Sequence, residues 1–183
     1  MTDAFEAMLI QDVDGKPKAG LADLTLADLP DNEVLVKISH SSLNYKDGLA
    51  ITGKGRIARR LPMVAGIDLA GVVVESRSLD WRAGDRVLVN GWGLSETEWG
   101  AYSHFQRLKP QHLTTMPTDF SAEEAMAIGT AGYTAALCVL ALERHGVLKG
   151  DGAFLVTGAA GGVGTVAISL LAARGVKVIA STG

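Results

Sequence analysis

The sequence is poor in the side chains that form disulfides or bind metals. Its one cysteine, Cys138, excludes an internal disulfide and a zinc site built from four cysteines. The histidines are His40, His104, His112 and His145, and their spacing does not suggest metal ligands, so we expect surface or capping roles. A net charge of −3 gives no electrostatic reason to expect nucleic acid or an anionic membrane as a partner.

Charge is also absent from two long runs, residues 125–142 and residues 153–173. Each is long enough to raise the question of a membrane span. The first contains glycines and hydroxyl side chains, and the second contains a glycine turn that would break a spanning helix. We therefore expect both to be buried in an α/β fold rather than in a membrane. Residues 1–11 lack the basic start of a signal peptide.

The first two thirds of the chain read as short strands between Gly and Pro turns. This pattern predicts a small barrel-like β domain. The predicted strands are residues 7–11, 33–39, 67–75, 86–90 and 101–108. A capping-box sequence at Ser121–Glu124 then begins a helical stretch, which we expect to divide around residues 129–132 and to end near Gly146. We place the domain boundary near Glu124, giving domains of residues 1–124 and 125–183.

The most informative segment joins an apolar strand, a glycine-rich turn and an apolar helix over residues 155–173, and a second strand-like run follows at residues 175–180. This is the order of the first βαβ unit of a dinucleotide-binding domain. In such a unit, glycines let the backbone approach a pyrophosphate at the helix N-terminus. No Gly-Lys-Ser/Thr follows, so an NTPase phosphate loop is not expected.

Two glycine registers fit this turn. One places glycine at every third position, at Gly158, Gly161 and Gly164, and the other reads residues 162–167 as G-x-G-x-x-A. The alternative to a nucleotide site is a turn that only packs a helix close to a sheet. The flanking strand and helix favour the nucleotide site.

Four linked segments resemble a known superfamily. They are residues 42–55, 62–71 and 128–135, together with the AAGGVG turn at residues 159–164, and the Asn-Gly-Trp-Gly sequence at residues 90–93 adds to the resemblance. This combination is similar to the medium-chain dehydrogenase/reductase superfamily, in its zinc-free quinone-oxidoreductase-like group and closest to the acryloyl-CoA reductase branch. The resemblance implies an α/β-with-β fold: a GroES-like β-barrel domain followed by a Rossmann-type doubly wound domain. Members are roughly twice as long, so we expect only the first βαβ unit of the second domain here.

The resemblance also bears on metals and on the reaction. Asn44 and Asp68 stand where zinc-bearing members carry zinc ligands, and neither matches that site, so we expect no metal. Without a Lewis acid, hydride addition to an alkene conjugated with a carbonyl is easier to catalyse than alcohol oxidation. The negative charge develops on an enolate oxygen, which hydrogen-bond donors can stabilise. We therefore expect reduction of an enoyl thioester, with acryloyl-CoA favoured, or of a quinone. A non-catalytic nucleotide-binding module remains an alternative.

The same resemblance suggests the catalytic residues. Tyr45 lies beside the nicotinamide in similar enzymes, where it positions the ring, donates a hydrogen bond or relays a proton, or else only packs under the cofactor. Asn44 either orients the substrate or caps a turn, and we favour the turn. Asp47 either holds the loop or complements a helix N-terminus. A basic cluster of Lys54, Arg56, Arg59 and Arg60 either meets CoA phosphates or is solvated, and we favour solvation.

NADPH is the expected cofactor. The second strand ends in Ser181, Thr182 and Gly183, with no acidic residue that could accept hydrogen bonds from the ribose hydroxyls of NAD. Small polar residues at these positions leave room for the 2′-phosphate of NADPH. The predicted cofactor-binding residues are Tyr45, Thr130, Ala160, Gly161, Gly162, Val163, Gly164, Ser181, Thr182 and Gly183. We expect a cytoplasmic enzyme with a small-molecule substrate, and similar proteins are often homodimers.

Overall fold

The computed structural model describes residues 4–150 and 152–183, and it divides the chain into two compact units. The first unit ends at Ala127 and the second begins at Ile128. The boundary that the sequence suggests, near residue 124, stays a prediction.

The first unit is built from two antiparallel sheets. Its strands in the described residues are β1 (Phe5–Val13), β2 (Lys16–Leu24), β3 (Val34–His40), β4 (Met63–Val64), β5 (Asp68–Ser76), β6 (Arg86–Asn90), β7 (Phe105–Leu108) and β8 (Thr114–Thr115). One sheet has the order β2-β1-β4 and the other β7-β3-β5-β6-β8. The predicted β domain is therefore confirmed, and β6 has the predicted bounds.

The core of the larger sheet comes from alternating apolar residues of its central strands. Val34 and Val36 of β3 pack with Leu69 of β5 and with Val87 and Val89 of β6, all nearly inaccessible to solvent. Period-two alternation puts such residues on one face of a sheet. This core holds the ends of β5 and β6 in register, and the polar residues of the candidate site lie at those ends.

The nine-residue strand β2 was missed in the sequence, as were the two-residue strands β4 and β8. The turn at Asp14 and Gly15, both with positive φ, makes a two-residue hairpin that returns the chain along β1 as β2. β2 contains Pro17 and Gly20 and is largely exposed, so its composition is not that of a strand. It lies at the edge of its sheet, where proline is tolerated.

The first unit also contains a short helix, α1 (Tyr45–Thr52). Two helices and a parallel pair of strands form most of the second unit. The first of these helices, α2 (Ala122–Arg144), begins before the boundary between the units and continues past it. Then follow β9 (Ala153–Thr157), α3 (Gly162–Ala172) and β10 (Lys177–Ser181). β9 and β10 pair in parallel, which confirms the predicted βαβ unit.

The helix α2 is long and apolar enough to qualify as a membrane span among the described residues, but it is interrupted. Gly129 has φ 51° and ψ −164°, which no helix contains, and this confirms the predicted division of the helical stretch. Residues 130–144 that follow the break number about 15, fewer than the roughly 20 that a spanning helix needs. The start of α2 instead packs Ala125 and Met126 against Ala70 and Met116 of the first unit.

Candidate functional site

Asn44 is the N-cap residue of α1, which puts both predicted catalytic residues at one helix start. The N–H of Asn44 donates to the Asp47 carboxylate at 2.9 Å, and the N–H of Asp47 donates to the Asn44 carbonyl at 3.0 Å. A carboxylate in the first turn satisfies an otherwise unpaired N–H and complements the helix dipole. Asp47 therefore holds the loop by being an N-terminal carboxylate, so the two roles suggested for it are one.

The side chain of Asn44 belongs to a partly buried polar network centred on the fully buried Asp68. The Ser42 hydroxyl donates a short hydrogen bond to Asp68 Oδ2, and Asn90 Nδ2 donates to Asp68 Oδ1 at 3.2 Å. Asn44 Nδ2 lies 2.8 Å from Ser42 Oγ and 3.4 Å from Asp68 Oδ2. We call these four residues the Asp68 network. Because the donors of the Asn44 amide point into this network, the geometry favours its structural role.

The Asp68 network is assembled by strand pairing. Asp68 is the first residue of β5 and Asn90 the last of β6, and the antiparallel register places them opposite each other. The hydroxyl of Ser41 donates to the Asp68 carbonyl at 2.6 Å and thus fastens the loop before α1 to β5. A fully buried carboxylate is costly unless hydrogen-bond donors surround it, and the network supplies them.

A second buried carboxyl, that of Asp47, lies near Tyr102. Burial raises the pKa of Asp47, and hydrogen bonds from Asn44 offset part of this rise. Burial also raises the pKa of the Tyr102 phenol, with the charges of Asp47 and Asp68 adding to the effect. The hydroxyl of Tyr102 donates to the Ser42 carbonyl at 2.9 Å. Tyr102 therefore stays protonated and braces the loop that carries Asn44.

Tyr45, in contrast, points its ring to solvent, with 84% of the residue exposed. It lines a cavity of about 540 Å³ together with Leu43, Asn44, Leu49 and Lys54. The volume is in the range of small-ligand sites. Its walls are mostly apolar, and the Asn44 amide and the Tyr45 hydroxyl are its hydrogen-bonding side chains near the helix start.

The basic cluster lies on the segment that follows α1. Arg56, Arg59 and Arg60 line a second cavity, whereas Lys54 lines the cavity beside Tyr45. Arg59 contacts Glu96 at 3.2 Å, and Lys46 contacts the same carboxylate at 2.7 Å. The hydrogen bond from Lys46, together with the charges of Lys46 and Arg59, lowers the pKa of Glu96. The cluster is exposed, as a solvated surface would be, but two of its arginines have no ion pair within residues 4–150 and 152–183.

In the second unit, the glycine turn brings the end of β9 close to the start of α3. Gly158 follows β9 with φ +62°, and Gly161 is the N-cap of α3 with its N–H donating to the Gly158 carbonyl at 2.9 Å. A Cβ on Gly164 would stand 2.4 Å from the Gly158 oxygen and 2.9 Å from the Ala159 Cα. Only glycine at position 164 therefore permits this approach of helix to turn. Gly164 belongs to both registers, and the positive φ of Gly158 favours the one that includes Gly158 and Gly161.

The other predicted cofactor residues of the second unit lie around this turn. The N–H of Ala159 donates to the carbonyl of Ser181 at the end of β10, which joins the turn to the residues expected near the ribose. A Cβ on Gly162 would stand 3.0 Å from the Ala131 Cβ, so the start of α3 touches α2 next to Thr130. Ala160 and Val163 complete the turn, and Thr182 and Gly183 follow β10 at the surface.

The described residues contain no group of three or more His, Cys, Asp or Glu arranged to hold a metal ion. His112 is buried beneath Trp92, with ring centroids 5.0 Å apart, and burial lowers its pKa. This is a packing role rather than the surface or capping role expected for it.

Three residues around Asp68 were missed as site residues in the sequence: Ser42, Asn90 and Tyr102. Ser42 and Asn90 belong to segments singled out only for their resemblance. A usable signal was present, because Asp68 interrupts an apolar run that begins at Met63 and a buried carboxylate needs donors. Which donors reach it depends on strand register, and the pattern alone does not give that.

The chain is similar to known proteins over nearly its whole length. The family model "Alcohol dehydrogenase GroES-like domain" matches residues 30–148. A relative from Escherichia coli (strain K12), named probable acrylyl-CoA reductase AcuI, is 48% identical over 98% of this chain and 55% of its own length. The putative quinone oxidoreductase YhfP of Bacillus subtilis (strain 168) is 40% identical over 100% of this chain and 56% of its own length.

Solved structures show the same likeness. The yhdH oxidoreductase from Salmonella enterica, crystallised in complex with NADP, is 47% identical with a TM-score of 0.93 over 97% of this chain and 55% of that one. The structure of Bacillus subtilis yhfP, which has NAD bound, matches with a TM-score of 0.92 over 98% of this chain and 55% of that one. The chain thus spans about half the length of the relatives it matches. It belongs to the alcohol dehydrogenase GroES-like domain family, within the quinone-oxidoreductase-like group of the medium-chain dehydrogenase/reductase superfamily, as the resemblance predicted.

Proposed function

We propose that this chain is part of an NADPH-dependent oxidoreductase that reduces the activated C=C bond of an enoyl thioester, with acrylyl-CoA to propionyl-CoA as the favoured reaction. The name of the Escherichia coli relative and the NADP of the Salmonella enterica structure support this choice. The chain covers 55% of that relative, so the proposal concerns the protein in its full length.

The glycine turn is the observation that carries the proposal. Its backbone approaches α3 so closely that a Cβ on Gly164 would stand 2.4 Å from the Gly158 oxygen, and no acidic residue lies in the first turn of α3. The first N–H groups of a helix have no partners within the helix, and they attract negative charge. These residues fit a dinucleotide, whose diphosphate the N–H groups of Gly162, Val163 and Gly164 would hold.

The neighbours of the turn would complete the cofactor site. Ser181, Thr182 and Gly183 follow β10 without a carboxylate, which favours the 2′-phosphate of NADPH over the free ribose of NADH. Ala160 and Gly161 would shape the approach to the diphosphate, and Thr130 would contact the nicotinamide side from α2. We propose residues 1–124 as the substrate domain and residues 125–183 as the start of the cofactor domain.

In the proposed reaction the protein holds an oxygen and supplies a proton. A bound reduced nicotinamide would contribute the hydride. The exposed hydroxyl of Tyr45 is the proposed donor to the thioester oxygen, where negative charge develops, and it is also a candidate for the proton that reaches the α-carbon. Asn44 would set the position of Tyr45 through the Asp68 network and stays a candidate for orienting the substrate.

A second candidate is quinone reduction, because the Bacillus subtilis relative is named a putative quinone oxidoreductase and its structure holds NAD. Oxidation of NADPH and of NADH by the full-length protein, measured with acrylyl-CoA, crotonyl-CoA and a simple quinone, separates the two. A cytoplasmic homodimer is our expectation for the enzyme. If no acceptor is reduced and nucleotide still binds, the remaining hypothesis is a non-catalytic nucleotide-binding module.

Substitution of Gly164 by Val tests the cofactor site. Because the added side chain meets the Gly158 carbonyl, we expect NADPH affinity to fall by at least about a hundredfold, measured by fluorescence titration of the full-length protein. Gly152→Val is the matched control, since a Cβ there meets nothing within 4 Å. Unchanged affinity in Gly164→Val, with a folded protein by circular dichroism, would remove the turn from the site.

A further inference from the structure

A second cavity of the first unit has an apolar floor and a basic rim. Its volume is about 600 Å³. Ile10 and Ala50 form part of its floor and belong to a buried cluster against which Ile57 and Leu61 pack. Arg56, Arg59 and Arg60 line the same cavity from the segment between α1 and β4. A cavity of this size accepts a ligand with one flat apolar part and one anionic part.

The rim carries more positive than negative charge. Arg59 is engaged by Glu96, and Asp12, which also lines the cavity, accepts the Gly15 N–H at 2.7 Å in the hairpin turn. Arg56 and Arg60 are exposed and have no ion pair within the part of the chain that the structure describes. These two arginines line one cavity in a chain whose net charge is −3. They are suited to binding phosphate, because one guanidinium group can donate two parallel hydrogen bonds to two phosphate oxygens.

The helix α1 connects this cavity to the one beside Tyr45. Ala50 and Gly53, at the end of α1, line the basic cavity, whereas Asn44 and Tyr45, at its start, line the other. An eight-residue helix is about 12 Å long. An extended chain of a few amide units spans roughly 15 Å, enough to reach from one cavity to the other. Lys54, which lines the cavity beside Tyr45, is flanked in the sequence by Gly53 and Gly55, which line the basic cavity.

We infer that the cavity rimmed by Arg56 and Arg60 binds the phosphorylated nucleotide end of coenzyme A, while the acyl end lies beside Asn44 and Tyr45. This inference rests on the proposed thioester reduction. The phosphates contact the two arginines, the adenine covers the apolar floor, and the pantetheine arm runs along α1. The solvated role that the sequence favoured for the basic cluster is thereby replaced by a binding role for two of its members.

The test compares two substrates that differ only in the nucleotide. Full-length wild type and the double variant Arg56→Gln/Arg60→Gln are assayed with acryloyl-CoA and with acryloyl-pantetheine, which lacks the phosphates. We expect the double variant to raise the KM for acryloyl-CoA about tenfold, with kcat and the KM for acryloyl-pantetheine unchanged. Added salt should raise the wild-type KM for acryloyl-CoA and have less effect on the variant.

The control is Arg82→Gln/Lys37→Gln, which removes the same charge from exposed positions that do not line the cavity. A KM for acryloyl-CoA that is unchanged in the Arg56/Arg60 variant, or raised equally for both thioesters, overturns the inference. Calorimetric titration with free coenzyme A gives a readout independent of turnover. A wild type that binds coenzyme A through Arg56 and Arg60 but reduces no thioester would retain the site and reject the proposed reaction, and a wild type that does not bind coenzyme A would reject the site.

Discussion

At the scale of single residues, the buried carboxyl of Asp47 ties the stability of the first unit to pH. Its folded-state pKa lies above the ordinary value of 3.8 because burial disfavours the charged form. The folded protein therefore holds this proton more tightly than the unfolded chain does. Stability falls as pH rises through the interval between the two pKa values, and the loss is complete above the folded-state pKa.

Asp47→Asn removes this titration and keeps an oxygen that can accept the Asn44 N–H. We expect the free energy of unfolding of the variant, relative to wild type, to increase as pH rises from the ordinary value of 3.8 through the raised folded-state pKa of Asp47. Urea unfolding followed by tryptophan fluorescence measures it, because Trp81, Trp92 and Trp99 all lie in the first unit.

Asp28→Asn is the control with the opposite sign. Hydrogen bonds from Thr25 lower the pKa of Asp28, so wild type gains stability as pH rises through that lowered pKa towards 3.8. The variant lacks this gain, and its stability relative to wild type should decrease over that range. A relative stability of Asp47→Asn that does not change with pH would contradict the assignment of a raised pKa to Asp47.

At the scale of elements, the sequence predicts those structures whose signals are adjacent in the chain. It does not predict which distant segments pair with each other. The β9–α3–β10 unit was predicted because its strand, its glycine-rich turn and its helix follow one another directly in the sequence. The edge strand β2 and the Asp68 network were not, since the first depends on pairing with β1 and the second on the register of Asp68 opposite Asn90. Tyr102 reaches Ser42 from 60 residues away in the sequence.

The break in α2 allows an element-scale prediction. Gly129 has φ 51° and ψ −164°, a region that residues with a Cβ essentially do not occupy. Gly129→Ala should lower the free energy of unfolding by about 1–3 kcal/mol. Urea unfolding followed by far-ultraviolet circular dichroism measures the change.

Gly150→Ala is the matched control for that substitution. Gly150 has φ −89° and ψ 162°, and a Cβ there meets nothing within 4 Å. The control should therefore be neutral or slightly stabilising, because alanine restricts the unfolded chain. Equal stability of the two variants would mean that α2 accommodates a continuous helix at residue 129.

At the scale of the whole molecule, the two units differ in how they bury their apolar residues. The first unit has several buried clusters, and β3 and β5 contribute fully buried side chains to them. In the second unit β9 and β10 form a two-stranded parallel sheet in which Leu155 is 63% exposed and Ile179 is 51% exposed. Parallel sheets are normally covered on both faces, and two-stranded sheets alone are only marginally stable.

Hydrogen exchange should therefore separate the units in a protein of these 183 residues. Amides of β5 and β6 pair within a five-stranded sheet over a buried core, so they should exchange only through global unfolding of the first unit. Amides of β9 and β10 should exchange faster, through local opening, by at least about tenfold. Mass spectrometry of peptic peptides measures both exchange rates. The hairpin of β1 and β2 is an internal reference for the exchange of an edge strand, because β2 is exposed and pairs with β1, which has buried residues. Equal protection of β9 and β5 would mean that the second unit is as stable as the first, and that its exposed apolar side chains cost it little.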